Sequence, residues 1–149
     1  MAELTPQQVA ERCAAALWPG DRAAQAMGIE LLEVGPGTAR LRMMVREDMV
    51  NCHGSCHGGY VFAVADTAFA YACNTYNQRT VAAGADINFL APAQLGDTLT
   101  AHGRVRQQGR RSGCYDIEVV NQHDKTVALF RGRAARVAGA IFDNGTDTP

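Results

Sequence analysis

The sequence predicts an α+β domain in which a curved antiparallel sheet wraps one long central helix, and three observations lead there. Residues 59–73 (GYVFAVADTAFAYAC) contain no Pro, Lys or Arg and a single carboxylate, Asp66. Helical spacing leaves every face of that run nearly apolar, the pattern of an enclosed helix. Fifteen residues make roughly 22 Å at 1.5 Å per residue, short for a bilayer, so the medium around the helix is expected to be protein. Three strand-length segments follow, Thr98–Gln108, Gly113–Gln122 and Thr126–Val137, parted by the turn sequences GRRS (109–112) and HDK (123–125). In the first, Leu99, Ala101, Gly103 and Val105 alternate with Thr100, His102, Arg104 and Arg106, giving one buried and one wet face, as in an antiparallel meander. Finally, 149 residues with 47% hydrophobic content fit one domain, 1–149, with a substantial core.

Taken in order, Thr5, Pro6 and Gln8 supply a capping hydroxyl, a proline at the first helical position and a Gln three residues past the cap. They open an amphipathic helix over about 5–17, which Trp18, Pro19, Gly20 and Asp21 end. Ala23 to Met27 adds a short turn before Gly28. Ile29–Val34 and Thr38–Val45 read as strands joined at Gly35, Pro36 and Gly37, a hairpin signal. After the apolar helix, Val81–Leu90 reads as a strand stopped by Pro92. The core therefore spans about 27–137, and the polar, Gly-containing tail 139–149 is expected to be loose.

Composition narrows the function classes. With 14 basic and 15 acidic residues the net charge is −1, which argues against a general nucleic-acid binder. The first 22 residues carry acids and no apolar signal core, and no transmembrane span is present, so a reducing cytoplasm is the expected home. Five cysteines at 13, 52, 56, 73 and 114 are odd in number and irregular in spacing, unlike a disulfide framework. Cys52, His53, Cys56 and His57 offer soft ligands, but a structural zinc site draws two separated pairs and no second pair exists. The expectation is therefore no metal, with these cysteines as small buried residues. No Gly-rich strand-to-helix phosphate motif is present.

The chemistry concentrates at the apolar helix. A carboxylate removed from water must pair, titrate upward or line a cleft where it is used, and Asp66 has these options open. Just before it, NCHGSCHGG (51–59) is polar and glycine-rich and runs into the helix start. Unpaired backbone N–H groups there, backed by the helix dipole, form a site for an anion or a developing oxyanion. A buried acid on the same helix as an oxyanion site suggests acyl transfer. Gly58 and Asp66 lie eight residues apart, roughly 12 Å along one helix, so one carbonyl carbon cannot meet both. If both act on one substrate, Asp66 comes from a second, antiparallel copy of the helix across a two-fold axis, making a homodimer with two composite sites.

Asn51, His57, Gly58, Gly59 and Asp66 in this spacing, with DINFLAP (86–92), GDTLT (96–100), QGR (108–110), YDIEVVNQ (115–122) and TVALFRG (126–132), resemble the hotdog-fold thioesterases. Within them the match is to the phenylacetate-pathway (PaaI-type) acyl-CoA thioesterases, over about Met27 to Val137. The resemblance implies a hotdog fold and hydrolysis of acyl-CoA thioesters, with phenylacetyl-CoA and its ring-hydroxylated derivatives as substrates in aerobic phenylacetate degradation. It also implies a dimer of dimers, and no cofactor beyond the coenzyme A carried by the substrate. On this reading the Gly58 N–H, helped by Gly59, binds the oxyanion; Asp66 is base or nucleophile; Asn51 positions water or carboxylate; and His57 orients the loop or touches substrate. Tyr60, Phe62 and Phe69 are candidates for an aromatic acyl pocket, or plain core. Family members often carry Ser or Thr near position 84, where this chain has Gly84 between two alanines, so that hydroxyl is absent.

Residues 101–137 carry a local charge of +5 and the remainder −6. Arg104 and Arg106 read as a solvated strand face. Gly109, Arg110 and Arg111 in the turn, with Gly84, Arg131 and Arg133, are the expected binding residues for the phosphates of coenzyme A. Two rival readings share the scaffold. An enoyl-CoA hydratase would use His57 with Asp66, and a non-catalytic acyl-CoA sensor would need an output segment, for which the 28 residues before the first strand are few and not basic.

Overall fold

The computed structural model of the protein describes residues 2–145. Helix α1 (Pro6–Leu17) opens on a complete capping box: the Gln8 N–H donates to Thr5 Oγ1 at 3.2 Å, and the Thr5 N–H to Gln8 Oε1 at 2.9 Å. Such a cap contributes about 1 kcal/mol. After a 3₁₀ turn at Trp18–Gly20, α2 (Arg22–Ala26) is capped by Asp21. The other Asp21 oxygen accepts from the Tyr71 hydroxyl at 3.0 Å, tying this region to the central helix α3 (Gly58–Cys73). The strands are β1 (Glu30–Gly35), β2 (Thr38–Met44), β3 (Thr80–Phe89), β4 (Thr98–Gln108), β5 (Ser112–Val120) and β6 (Thr126–Arg136). They form one antiparallel sheet in the order β1-β2-β4-β5-β6-β3.

Strand boundaries differ from the sequence expectation for local reasons. The Ile29 N–H donates to Ala24 O behind Gly28 at φ 71°, closing α2 instead of joining the sheet. Strand β3 ends at Phe89 because the Leu90 and Ala91 N–H groups both turn to Val127 O.

Helix α3 lies on the concave face, chiefly over β2, β4 and β5. Val64, Ala65, Ala68, Phe69 and Ala72 meet Leu41, Met43, Leu99, Ala101, Ile117 and Phe130 in the core. The helix sits close over two strand glycines. A Cβ on Gly132 would stand 2.7 Å from the Phe69 ring, and one on Gly103 would stand 3.2 Å from Ala68 O.

Enclosure is incomplete, which corrects the expectation from the apolar run. Gly59, Phe62 and Ala70 are exposed and Asp66 is half-buried, forming one open stripe along α3. Strand β3, at the sheet edge, is exposed at most positions, including Val81 at 47% and Phe89 at 55%. Past β6, Asn77 holds the chain: its Oδ1 accepts from the Ile141 and Phe142 N–H groups at 2.9 Å, and the Arg12 guanidinium lies 5.8 Å from the Phe142 ring centre. The part of the tail expected to be loose at 146–149 lies outside the described residues.

Candidate active site

The loop entering α3 is tightly built. Asn51 Oδ1 accepts from the N–H groups of His53 and Ser55 at 2.9 and 3.3 Å, and the Asn51 N–H donates to Ser55 O. The Cys56 N–H donates to Ala93 O at 2.8 Å and that of His57 to Met49 O at 2.7 Å, so both flanks of the loop are pinned. Asn51 thus shapes the turn through its oxygen, while its side-chain amide donors make no hydrogen bond to the described residues. Cys56 is buried as expected, whereas Cys52 is exposed.

A helix begins with orphan N–H groups, and here they are assigned almost completely. His57 is the N-cap, and its Nδ1 accepts from the Gly59 N–H at 2.9 Å. The Tyr60 and Val61 N–H groups reach His57 O at 2.9 and 3.4 Å. Among the described residues the Gly58 N–H has no partner. This corrects the expectation of Gly59 as a second oxyanion donor: its N–H is already engaged. It also places His57, because an accepting Nδ1 puts the neutral ring's proton on Nε2. One donor at the positive end of α3 remains for a carbonyl oxygen.

Asp66 stands two turns further on, on the open stripe. It makes no hydrogen bond or ion pair with a described residue, and burial pushes its carboxyl above the ordinary 3.8. The same burial, with a smaller contribution from the Asp66 charge, lifts the Cys73 thiol to about 12. No partner among the described residues neutralises Asp66, and the roughly 12 Å of helix between it and Gly58 keeps them from one reacting centre within one chain.

The aromatic residues divide. Phe69 is core, with ring centres of Tyr115 and Phe130 at 5.7 and 5.9 Å. Phe62 leans edge-on to Phe130 at 5.3 Å, and Tyr60 is partly buried against the core. The ring beside the Gly58 donor is Phe89, 3.1 Å from where a Gly58 Cβ would stand. Sequence reasoning missed it because an apolar residue in a strand reads as core; the available signal was its place in the last turn of strand before Pro92.

The arginines also separate. Phe130, Gly132 and Ala134 face α3, so Arg131 and Arg133, with Gly84 opposite Arg133, lie on the outer face of the sheet. Arg131 clasps Asp116 through Nε at 2.7 Å and Nη2 at 2.9 Å, and Arg106 reaches the same carboxylate at 3.4 Å. That pairing holds the Asp116 carboxyl below its usual range, the Arg131 hydrogen bond acting most strongly. Arg131, expected with Arg133 as a phosphate-binding residue, is thus paired with Asp116 on that outer face. Arg133 has no carboxylate partner among the described residues; its Nη2 lies 3.4 Å from Ala83 O. Ala83 is bulged out of the β3–β6 register, and Gly84 leaves room for the guanidinium, since a Cβ there would come within 3.0 Å of Arg133 Nη2. Arg110 and Arg111 are exposed in the β4–β5 turn, which the Gly109 N–H closes onto Ser112 O at 2.7 Å. Ser112 pairs with Ala135, and Ala135 with Val81. Strand β3 thus runs from the arginine end at Val81 to the donor end at Phe89, roughly 27 Å at 3.4 Å per residue. One chain does not bring Arg110, Arg111 and Arg133 to its own Gly58.

The model of the thioesterase superfamily matches residues 53–128, which include all of α3. Acyl-coenzyme A thioesterase PaaI of Escherichia coli (strain K12) is 51% identical over 126 residues, covering 85% of this chain and 90% of that one. The structure of the E. coli PaaI protein from the phenylacetic acid degradation operon matches with a TM-score of 0.90 at 48% identity, over 91% of this chain and 99% of that one. A mutant of the phenylacetic acid degradation protein PaaI from Thermus thermophilus matches with a TM-score of 0.76 at 36% identity, over 78% and 100%. A Streptococcus mutans UA159 protein bound to acetyl CoA matches with a TM-score of 0.73 at 26% identity, over 75% and 90%. With the sheet wrapped on α3, these neighbours make the architecture a hotdog fold, and the chain belongs to the thioesterase superfamily.

Proposed function

We propose that the protein hydrolyses acyl-CoA thioesters in the cytoplasm, with phenylacetyl-CoA and its ring-hydroxylated derivatives as substrates, in aerobic phenylacetate degradation. The observation that carries this is the Gly58 N–H, left without a partner among the described residues at the positive end of an apolar helix. A thioester oxygen there gains charge as the carbonyl carbon becomes tetrahedral, and the donor is in place beforehand. The names of the relatives from E. coli and T. thermophilus support the acyl group, and the acetyl CoA held by the S. mutans protein supports the coenzyme A moiety.

The acid is supplied by a second copy. The open stripe of Gly59, Phe62, Asp66 and Ala70 and the open edge of β3 are adjacent unpartnered surfaces, and a two-fold axis between them covers both. Antiparallel pairing of β3 with its own copy lays the Phe89 end of one chain beside the Arg110, Arg111 and Arg133 end of the other, and sets Asp66 of the second copy across from Gly58. Two such dimers make the tetramer that the resemblance implies. In the general-base form, Asp66 takes a proton from water, the hydroxide adds to the carbonyl carbon, and the tetrahedral intermediate expels coenzyme A as a thiolate that is then protonated. In the nucleophilic form, the Asp66 carboxylate displaces the thiolate, and water cleaves the resulting anhydride.

Incubation with phenylacetyl-CoA should release free thiol stoichiometrically with phenylacetate. Loss of enoyl absorbance from an enoyl-CoA without thiol release would instead identify a hydratase. That reading needs His57 as a proton carrier, and its Nδ1 is already engaged in capping α3.

A further inference from the structure

We propose that the acyl group is received in the apolar recess between the first turn of α3 and residues 89–93, with Phe89 as the wall that sets which acyl groups fit. The proposal rests on the thioester hydrolysis above and adds where the acyl group lies. The recess has a volume of about 300 Å³ and is lined by Gly58, Val61, Phe89, Leu90, Ala91 and Pro92, among others. Gly58 belongs to this wall and carries the unpaired N–H, so a carbonyl oxygen bound there directs its acyl substituent along the Phe89 ring. Phe89 and Leu90 are 55% and 56% exposed, apolar surface left open by the other described residues beside a polar loop. The absence of a side chain at Gly58 is what allows the ring to lie against the donor, since a Cβ would stand 3.1 Å from it.

The recess is held open by its backbone. The Leu90 and Ala91 N–H groups both donate to Val127 O at 2.9 and 3.3 Å, and the Cys56 N–H donates to Ala93 O at 2.8 Å. Ser55 also bridges to Gln94. The wall and the loop that presents Gly58 are thereby one rigid unit, and a preformed apolar site discriminates by size and shape. Small-molecule sites run from roughly 300 to 1,000 Å³. This recess sits at the lower bound, so a change in the size of the Phe89 side chain should alter which acyl groups fit. Phe69 is sealed in the core, and Phe62 turns its ring to Phe130, so neither competes with Phe89 for this role.

The test compares kcat/KM for phenylacetyl-CoA, octanoyl-CoA and acetyl-CoA in the full-length wild type and in Phe89→Ala, Phe89→Leu and Phe89→Trp. Phe89→Ala should shift the phenylacetyl-to-octanoyl ratio at least tenfold towards octanoyl, with Phe89→Leu between. Phe89→Trp, by narrowing the recess, should depress phenylacetyl turnover at least tenfold more than acetyl turnover. Inhibition by free coenzyme A should stay unchanged in all three, since that moiety lies outside the recess. Thermal melts identify any variant that does not fold, and the conservative Leu variant keeps the comparison decisive. If the wild type cleaves the thioesters but the ratios stay constant, or all substrates fall in equal proportion, Phe89 is structural and the assignment is wrong while hydrolysis stands. If the wild type releases no thiol from any of the three, both readings fall.

Discussion

Asp66 joins a cost to the fold with the role proposed for it in the reaction, and burial underlies both. Its carboxyl is pushed above 3.8 by burial, so the folded chain holds that proton more tightly than the unfolded chain. The favourable contribution to stability is complete at acid pH, below the unfolded value, and is lost as pH rises through the raised value. Asp66→Asn removes the buried charge and should raise the melting temperature at pH 7, with the gain disappearing at acid pH. The same substitution should lower kcat by at least roughly a hundredfold, the lower end of general-base effects. The acid limb of kcat/KM in the wild type should fall above the ordinary aspartate range, because the carboxylate is the active form. A variant with near-normal kcat would remove Asp66 from the mechanism. Single-turnover hydrolysis in labelled water separates its two chemistries: label entering Asp66 indicates an anhydride, and label in the product alone indicates a general base.

At the scale of elements, helix α3 and strand β4 were legible nearly to the residue, because an uninterrupted apolar run and a strict alternation are local signals. The Thr5–Gln8 capping box was legible for the same reason. What escaped was non-local. Nothing in the run 80–89 tells that β3 pairs with β6 at the edge, nor that Ala83 bulges so that Gly84 faces Arg133. The Arg131–Asp116 clasp depends on cross-strand register between residues fifteen apart, and without it Arg131 and Arg133 look equivalent. They should separate experimentally. Arg133→Ala, Arg110→Ala and Arg111→Ala should each raise KM for an acyl-CoA while sparing a truncated thioester that lacks the nucleotide, the pattern of lost remote binding. Arg131→Ala should leave KM unchanged and lower stability only slightly, as for an exposed ion pair. Equal KM effects from Arg131 and Arg133 would overturn the distinction. Gly132→Ala tests the contact of α3 with β6: the added carbon meets the Phe69 ring at 2.7 Å and should destabilise by about 1–3 kcal/mol in denaturant titration.

For the whole molecule, the proposed dimer requires that donor and acid come from different copies. A Gly58→Pro chain lacks the donor N–H yet keeps a good first helical residue, and His57, at φ −58° and ψ 133°, already has the extended backbone that must precede proline. The exposed Phe89 ring has to yield slightly, so a melt must first show that this variant folds. Mixed with Asp66→Asn chains by unfolding and reassembly, random pairing makes half the dimers mixed, and half the sites in each are intact. About a quarter of wild-type activity should therefore return from two nearly inactive parents, by the symmetry of a two-fold interface. Mixed dimers seen by native mass without recovered activity would show that each site is built within one chain.

The nearly complete pairing at the start of α3 also makes Gly58 a reporter. Its neighbours Gly59, Tyr60 and Val61 all donate within the cap, so their amide hydrogens should exchange slowly with solvent deuterium, whereas that of Gly58 should exchange fast. A non-hydrolysable thioester analogue whose oxygen takes this donor should slow exchange at Gly58 selectively and leave the other three unchanged. Protection of all four together would instead mean that the ligand stiffens the helix end without touching the donor. One amide would thus read occupancy of the proposed oxyanion position directly, with no turnover required.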